Sequence, residues 1–360
     1  MMKTSILSII LLLIIMLSGC EKAMMEDDPA NTPHKNFEFL WETIDERYSF
    51  FLFKDVDWDA VYDEYKKKIY PEMTDQELFN VLANMLNELK DGHVNIKAPF
   101  NRSRYWGWML NYPPNFDYNI IERNYLGKDH WITGPFKNTI IDSIGYMYYG
   151  SFQGTVRDVH IDTIISRFSG LKGMIIDVRD NGGGSTTNGD RIVSRFVHET
   201  TPVGIRMYKN GPEHDNFSDP IVMSVKPGGE KQYPQDKPVV ILMNRGCYSA
   251  ANDFIMKMDA ISDTLGITQS GIIIPRITLM GDKSGGGGGL PVYSELPIGW
   301  RFRYSSTITL TLEKTLSLEK RNVEDGIEPD IRIGFPQNAG HTQRDTIIET
   351  ALDYINELPF

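Results

Sequence analysis

The chain has 360 residues, with 37 Lys and Arg against 48 Asp and Glu and a formal net charge of −11. The acidic balance argues against a nucleic-acid surface, and the length suffices for a large core or a core with a subdomain. The seven histidines are scattered without a paired helical spacing, so neither a metal site nor another cofactor is expected.

Residues 1–20 read as a cleaved leader. Lys3 supplies a positive start, and Ile6 to Leu17 is an apolar run too short for a comfortable span. Leu17-Ser18-Gly19-Cys20 resembles a bacterial lipobox, in which cleavage precedes the cysteine and Cys20 is lipidated. Acyl chains then anchor a soluble domain to the outer membrane, on its periplasmic or outer face. Residues 21–35, with Glu26, Asp27, Asp28, Pro29 and Pro33, read as a flexible tether. Once Cys20 is acylated only Cys247 remains, which excludes an internal disulfide and reads as a small buried apolar residue.

Residues 36–97 read as a helical subdomain. Phe37, Leu40, Trp41, Ile44 and Tyr48 follow a helical period, as do Trp58, Val61, Tyr62, Tyr65 and Ile69. Thr74-Asp75-Gln76-Glu77 is a capping box before the stripe Leu78, Val81, Leu82, Met85, Leu86 and Leu89. That third helix places His93, in Asp91-Gly92-His93, just beyond its C-terminal end. Residues 98–142 read as short strands and loops, whose aromatics Trp106, Trp108, Tyr112, Phe116 and Tyr118 either line a groove or pack on the helices.

From residue 143 to 360 apolar strands alternate with helices, which predicts an α/β core with several parallel strands. Ile144–Tyr149, Gly173–Val178, Pro238–Met243 and Ile272–Ile274 are the expected strands. Val156–Phe168, Thr187–Val197 and Ser249–Met258 are the expected helices. Arg301–Leu312 reads as a later strand or strand pair, and Asp345–Leu358 as a closing amphipathic helix.

Three segments carry chemistry. Ser249 follows an apolar strand at a sharp turn into a helix, which exposes its hydroxyl in front of free backbone N–H groups. Gly182-Gly183-Gly184 follows the strand ending at Val178, and glycines let backbone N–H groups approach a ligand closely. His93 supplies a base. Each has a plainer reading, as helix cap, tight turn or surface histidine, but their coincidence in one chain points to a nucleophile, oxyanion donors and a base.

In ordered motifs the chain resembles the serine peptidase family of tail-specific (C-terminal processing) proteases and the tricorn core protease. The motifs are Asp91-Gly92-His93, Ile144-Gly145-Tyr146-Met147, Asp177 to Gly183, Tyr248-Ser249-Ala250-Ala251, the Gly281-to-Gly289 loop and Glu324 to Asp330. The resemblance implies a ClpP/crotonase-like core. Tail-specific members pair the serine with a lysine, but Gly287 stands in that slot and Lys283 lies on the wrong side of the loop pattern. This leaves His93 as base, closer to the tricorn-type variant. Gly92 replaces the serine that would link the histidine to a glutamate, so Glu324 is expected to reach His93 directly or through water. Asp91 reads as a loop-fixing residue. Residues 98–142 are too short for the PDZ domain of many members, and Asn252 stands where members carry a glutamate three residues after the serine.

The expected function is thus a lipid-anchored serine endopeptidase. Ser249 is nucleophile, His93 base, Glu324 its orienting acid, and Gly183 and Ala250 the oxyanion donors. The partners are a peptide or protein substrate and, through the anchor, the membrane. The alternative is a non-catalytic peptide- or glycan-associated binding lipoprotein on a degenerate peptidase fold. Acyl-CoA chemistry ranks last, because an exported protein has little access to CoA.

Overall fold

The computed structural model describes residues 31–262, 266–269, 272–313, 321–334 and 344–358. The leader and the lipobox lie outside the described residues. The chain begins with α1 (Pro33–Arg47), α2 (Trp58–Lys66), α3 (Asp75–Asn87), β1 (Asn95–Ala98), β2 (Asn101–Arg102), α4 (Gly107–Leu110) and α5 (Tyr118–Ile121). A π-helical turn, Glu122–Leu126, leads to β3 (Trp131–Thr133), β4 (Phe136–Ile141) and β5 (Ile144–Tyr148). Next come α6 (Asp158–Phe168), β6 (Gly173–Asp177), α7 (Thr186–Val193), β7 (Thr201–Tyr208), β8 (Ile221–Val225), β9 (Val239–Met243) and α8 (Ala250–Ser262). The chain continues through β10 (Gly266–Gln269), β11 (Ile272–Pro275), β12 (Ile277–Gly281), β13 (Pro291–Glu295), β14 (Arg301–Ser305) and β15 (Thr307–Leu310). A 3-10 turn, Val323–Asp325, precedes β16 (Ile331–Arg332) and α9 (Thr346–Glu357).

The largest sheet has seven strands in the order β16-β12-β9-β6-β5-β4-β3. The pairs from β5 through β16 are parallel, and β4 and β3 add an antiparallel edge. The central strands are apolar on both faces because both are covered. Val240 and Leu242 of β9 join Ile347, Ile348 and Ala351 of α9 in one core layer. Val239, Ile241 and Met243 face the other way, with Phe254, Ile255 and Met258 of α8. One expected strand is displaced: Ile272–Ile274 falls in the β10–β11 hairpin, and the parallel strand beside β9 is Ile277–Gly281. Apolar periodicity marks both short runs as strand material but does not say which one pairs with β9.

A second core lies between α1–α3 and strands from the far end of the chain. Phe37, Leu40, Ile44, Leu82, Met85 and Leu86 pack with Trp300, Phe302, Tyr304, Ile308 and Leu310. The antiparallel sheet β13-β14-β1-β2 carries this contact, with Asn95 opposite Arg303 and Lys97 opposite both Arg301 and Arg102. The helical segment therefore folds on β14 and β15 as well as on itself. The helices start where caps dictate. Thr74 and Glu77 close the predicted capping box on α3. Thr32 caps α1 with Pro33 in its first turn, so the segment expected to be tether is already helical from residue 33.

Candidate active site

Ser249 stands at the carboxyl end of β9, and the Gly182–Gly184 turn follows the carboxyl end of the adjacent strand β6. Two turns leaving neighbouring parallel strands open on one crevice, the usual place for a ligand in such sheets. Ser249 has φ 58°, a left-handed conformation that costs a non-glycine residue about 1–2 kcal/mol. Backbone hydrogen bonds hold it there. Its N–H donates to Gly286 O at 2.8 Å, and the Tyr248 N–H donates to Asn181 O at 3.1 Å. The helix α8 begins at the next residue, Ala250.

Gly183 sits against this turn with φ 98°. A Cβ there would fall 2.9 Å from Ser249 Cβ, 2.9 Å from Ala250 N and 2.6 Å from Tyr248 O. Any side chain would occupy the space in front of the serine, so this is one position where glycine is required. The Gly183 N–H itself donates to Asn181 Oδ1 at 3.0 Å.

His93 reaches the same space from the other core. After α3 the chain turns through Lys90, with φ 49°, into the buried Asp91. One Asp91 oxygen accepts from the His93 N–H at 2.7 Å and from Tyr248 Oη at 3.3 Å. The other accepts from Tyr48 Oη and Ser305 Oγ, both at 3.1 Å. Asp91 thus fixes the His93 loop. The imidazole Nε2 then lies 2.9 Å from Ser249 Oγ, within proton-transfer reach. Burial pushes the His93 pKa down to about 4, against the upward pull of Asp91. An acid limit to activity near pH 6–7, expected from an unperturbed imidazole, is moved lower by this burial.

Glu324 is buried but makes no hydrogen bond to the ring. Its Oε1 lies 3.1 Å from Lys54 Nζ, and its Oε2 accepts from the Gly288 N–H at 2.9 Å. His93 Nδ1 is buried without a well-aligned partner, although the neighbouring Gly289 carbonyl favours the protonated ring. Of the two routes expected from the sequence, direct or through water, the direct bond is not made; Glu324 contacts the glycine loop beside His93. Burial and the Asp91 charge push the Glu324 pKa up to about 8, with Lys54 opposing. The Lys54 ammonium and the Gly288 N–H favour the carboxylate, and burial with the Asp91 charge works against them.

Aromatic side chains roof the site. Trp108 stacks on Tyr248 at 4.1 Å, and Tyr248 meets His93 edge-on at 5.0 Å. A Cβ at Gly92 would fall 2.6 Å from Trp108 Nε1, so the glycine that displaces the family serine makes room for this roof. A Cβ at Gly287 would fall 2.5 Å from the Tyr248 ring, which leaves no lysine-sized space in that slot. Lys283 instead pairs with Glu328 at 3.3 Å. The Cys247 thiol is buried, donates to Val178 O at 3.0 Å and is pushed up by desolvation, away from nucleophilic use.

Sequence reasoning passed over Lys54, Tyr48, Ser305 and Arg303. The last donates through Nε to His93 O at 2.7 Å. No local motif marks any of them; each matters through contacts distant in the chain. Asn252, the departure three residues after Ser249, serves the structure. Its side-chain amide donates to Val323 O at 2.9 Å and accepts from Ser284 Oγ at 2.6 Å. It ties α8 to the glycine loop and the Glu324 turn. Among the described residues no group of three or more His, Cys, Asp or Glu side chains is placed to hold a metal ion.

The model of peptidase family S41 matches residues 143–333, and that of the tricorn protease C1 domain matches residues 29–87. The chain belongs to peptidase family S41, a class of serine-type peptidases. A solved protein from Parabacteroides merdae, described as a candidate peptidase, is 42% identical, with a TM-score of 0.81 over 91% of this chain and 97% of that one. The carboxy-terminal processing protease CtpA of Bacillus subtilis is 26% identical over 200 residues, 55% of this chain, and the match spans 36% of the length of that relative. Mature CPAF, at 12% identity, shares the fold with a TM-score of 0.60 over 90% of this chain and 97% of that one.

Proposed function

We propose that this protein is a lipid-anchored serine endopeptidase of the cell envelope that hydrolyses peptide bonds through an acyl-enzyme. The observation that carries the chemistry is the 2.9 Å contact between His93 Nε2 and Ser249 Oγ. A distant or blocked histidine would have favoured the binding-protein alternative. Neutral His93 takes the proton as Ser249 Oγ attacks the peptide carbonyl. The tetrahedral oxyanion accepts from the Ala250 N–H at the start of α8 and from the Gly183 N–H, which shares its bond to Asn181 Oδ1. The imidazolium returns its proton to the leaving amine, and water resolves the ester with His93 again as base. Asp91, whose charge favours protonated His93, stabilises that imidazolium. Glu324 is a positioning residue that holds the Gly288–Gly289 backbone beside the ring. The anchor rests on Leu17-Ser18-Gly19-Cys20 alone.

A fluorophosphonate probe tests the nucleophile. Wild type should label and Ser249→Ala should not; a wild type that stays unlabelled refutes the assignment. Mass spectrometry of membrane-extracted protein tests the anchor, expecting acylated Cys20 as the first residue. An unmodified chain starting elsewhere refutes it.

A further inference from the structure

The cavity in front of Ser249 has a volume of about 730 Å³, and Arg102, Arg104 and Arg303 line it together with His93 and Ser249. None of the three arginines has an ion-pair partner among the described residues, in a chain whose net charge is −11. Their hydrogen bonds use few of their donors. Arg102 Nε donates to Asn95 Oδ1 at 3.2 Å, and Arg303 donates to the carbonyls of His93 and Gly92 at 2.7 and 3.4 Å.

The sheet β13-β14-β1-β2 explains why they gather. Phe302 and Tyr304 of β14, with Val94, Ile96 and Ala98 in and beside β1, are buried in the helical core. Period-2 alternation sends Arg303 to the opposite face, and cross-strand register sets it beside Asn95, which Arg102 contacts. Partial desolvation, followed by the positive charges of Arg303 and Arg104, lowers the Arg102 pKa. Like charges held together at a cleft wall are unfavourable until an anion enters. Arginine is the side chain whose planar fork suits a carboxylate.

We propose that the cleft binds peptides through a carboxylate close to the scissile bond, held by Arg102 and Arg104 with the remaining donors of Arg303. This rests on the peptidase reading of Ser249 and adds its substrate class. Because an endopeptidase cleaves internal bonds, the carboxylate is an Asp or Glu side chain of the substrate.

The test uses Ser249→Ala protein, so that binding is read without turnover, and fluorescence anisotropy of three otherwise uncharged peptides. One carries Glu residues and an amidated C-terminus, the second Gln at the same positions and an amide, and the third Gln with a free C-terminal acid. The Glu peptide should bind about tenfold or more tightly than the Gln amide. Arg102→Gln with Arg104→Gln should erase that difference while leaving fluorophosphonate labelling of the otherwise wild-type enzyme intact. Preference for the Glu amide assigns the side-chain carboxylate, and preference for the free acid alone overturns the proposal. Equal binding of all three peptides, or an undiminished preference in the double variant, overturns the proposal. A wild type that ignores the probe while the peptides still discriminate would refute the nucleophile and leave the carboxylate site standing.

Discussion

The two sides of the active site are held in place by different physics. On the Ser249 side the backbone does the positioning: a left-handed serine, the glycine at 183 packed against it, and main-chain bonds from Ser249 and Tyr248 to neighbouring loops. On the His93 side a buried polar cluster does it. Asp91, Lys54 and Glu324, with Tyr48, Tyr248 and Ser305, fix a ring that no regular element contains. The first arrangement tolerates no added volume, whereas the second tolerates no lost charge.

The largest expected effect probes the backbone side. Gly183→Ala puts a methyl group beside Ser249 Cβ and Ala250 N at a φ that disfavours side chains, so kcat should fall by roughly 10²-fold or more, as when an oxyanion donor is lost. A near-normal kcat would show that the turn can move aside. Next comes the charge side. Lys54→Met leaves the buried Asp91 and Glu324 without their half-buried cation and should cost about 3–5 kcal/mol, read by denaturant unfolding. A loss under about 1 kcal/mol would mean that the cluster is not electrostatically tight.

The pH profile sharpens the comparison further. Because burial lowers His93 to about 4, kcat/KM should hold at pH 6 and fall only well below 6.5 as the ring protonates. A limb at 6.5 would show a solvated ring. The stability signs follow by linkage. His93 binds protons less readily folded than unfolded, so its contribution is lost as pH falls from 6.5 towards about 4. Glu324 does the reverse, and its contribution is lost as pH rises from 4.5 through about 8. The smallest effect is expected for Lys283→Ala. Its surface pair with Glu328 involves neither His93 nor Ser249, so kcat should stay within about twofold of wild type. Abolished turnover would return the lysine to the mechanism.

Much of the fold is legible in local pattern. Capping at Thr74, the helical stripes, the apolar runs at 144–148, 173–177 and 239–243, and the serine at a strand-to-helix turn need only residues near one another. Two outcomes did not follow from pattern. The β-strand choice between Ile272–Pro275 and Ile277–Gly281 depends on which run pairs with β9. The Glu324 contact depends on where the glycine loop carries its N–H groups.

By itself the sequence determined the parallel α/β core, the strand-to-helix turn at Ser249 and the candidacy of His93, because glycine, capping and periodicity act within a few residues. Only the tertiary structure decided that Tyr48, Tyr248 and Ser305 hold Asp91, that Glu324 contacts Lys54 and Gly288, and that β14 closes the helical core. Those outcomes rest on buried charges and cross-strand register between segments far apart in the chain, as with Arg303 donating to His93 O, 210 positions away. No short-range preference encodes such pairings; they exist only once both cores have packed.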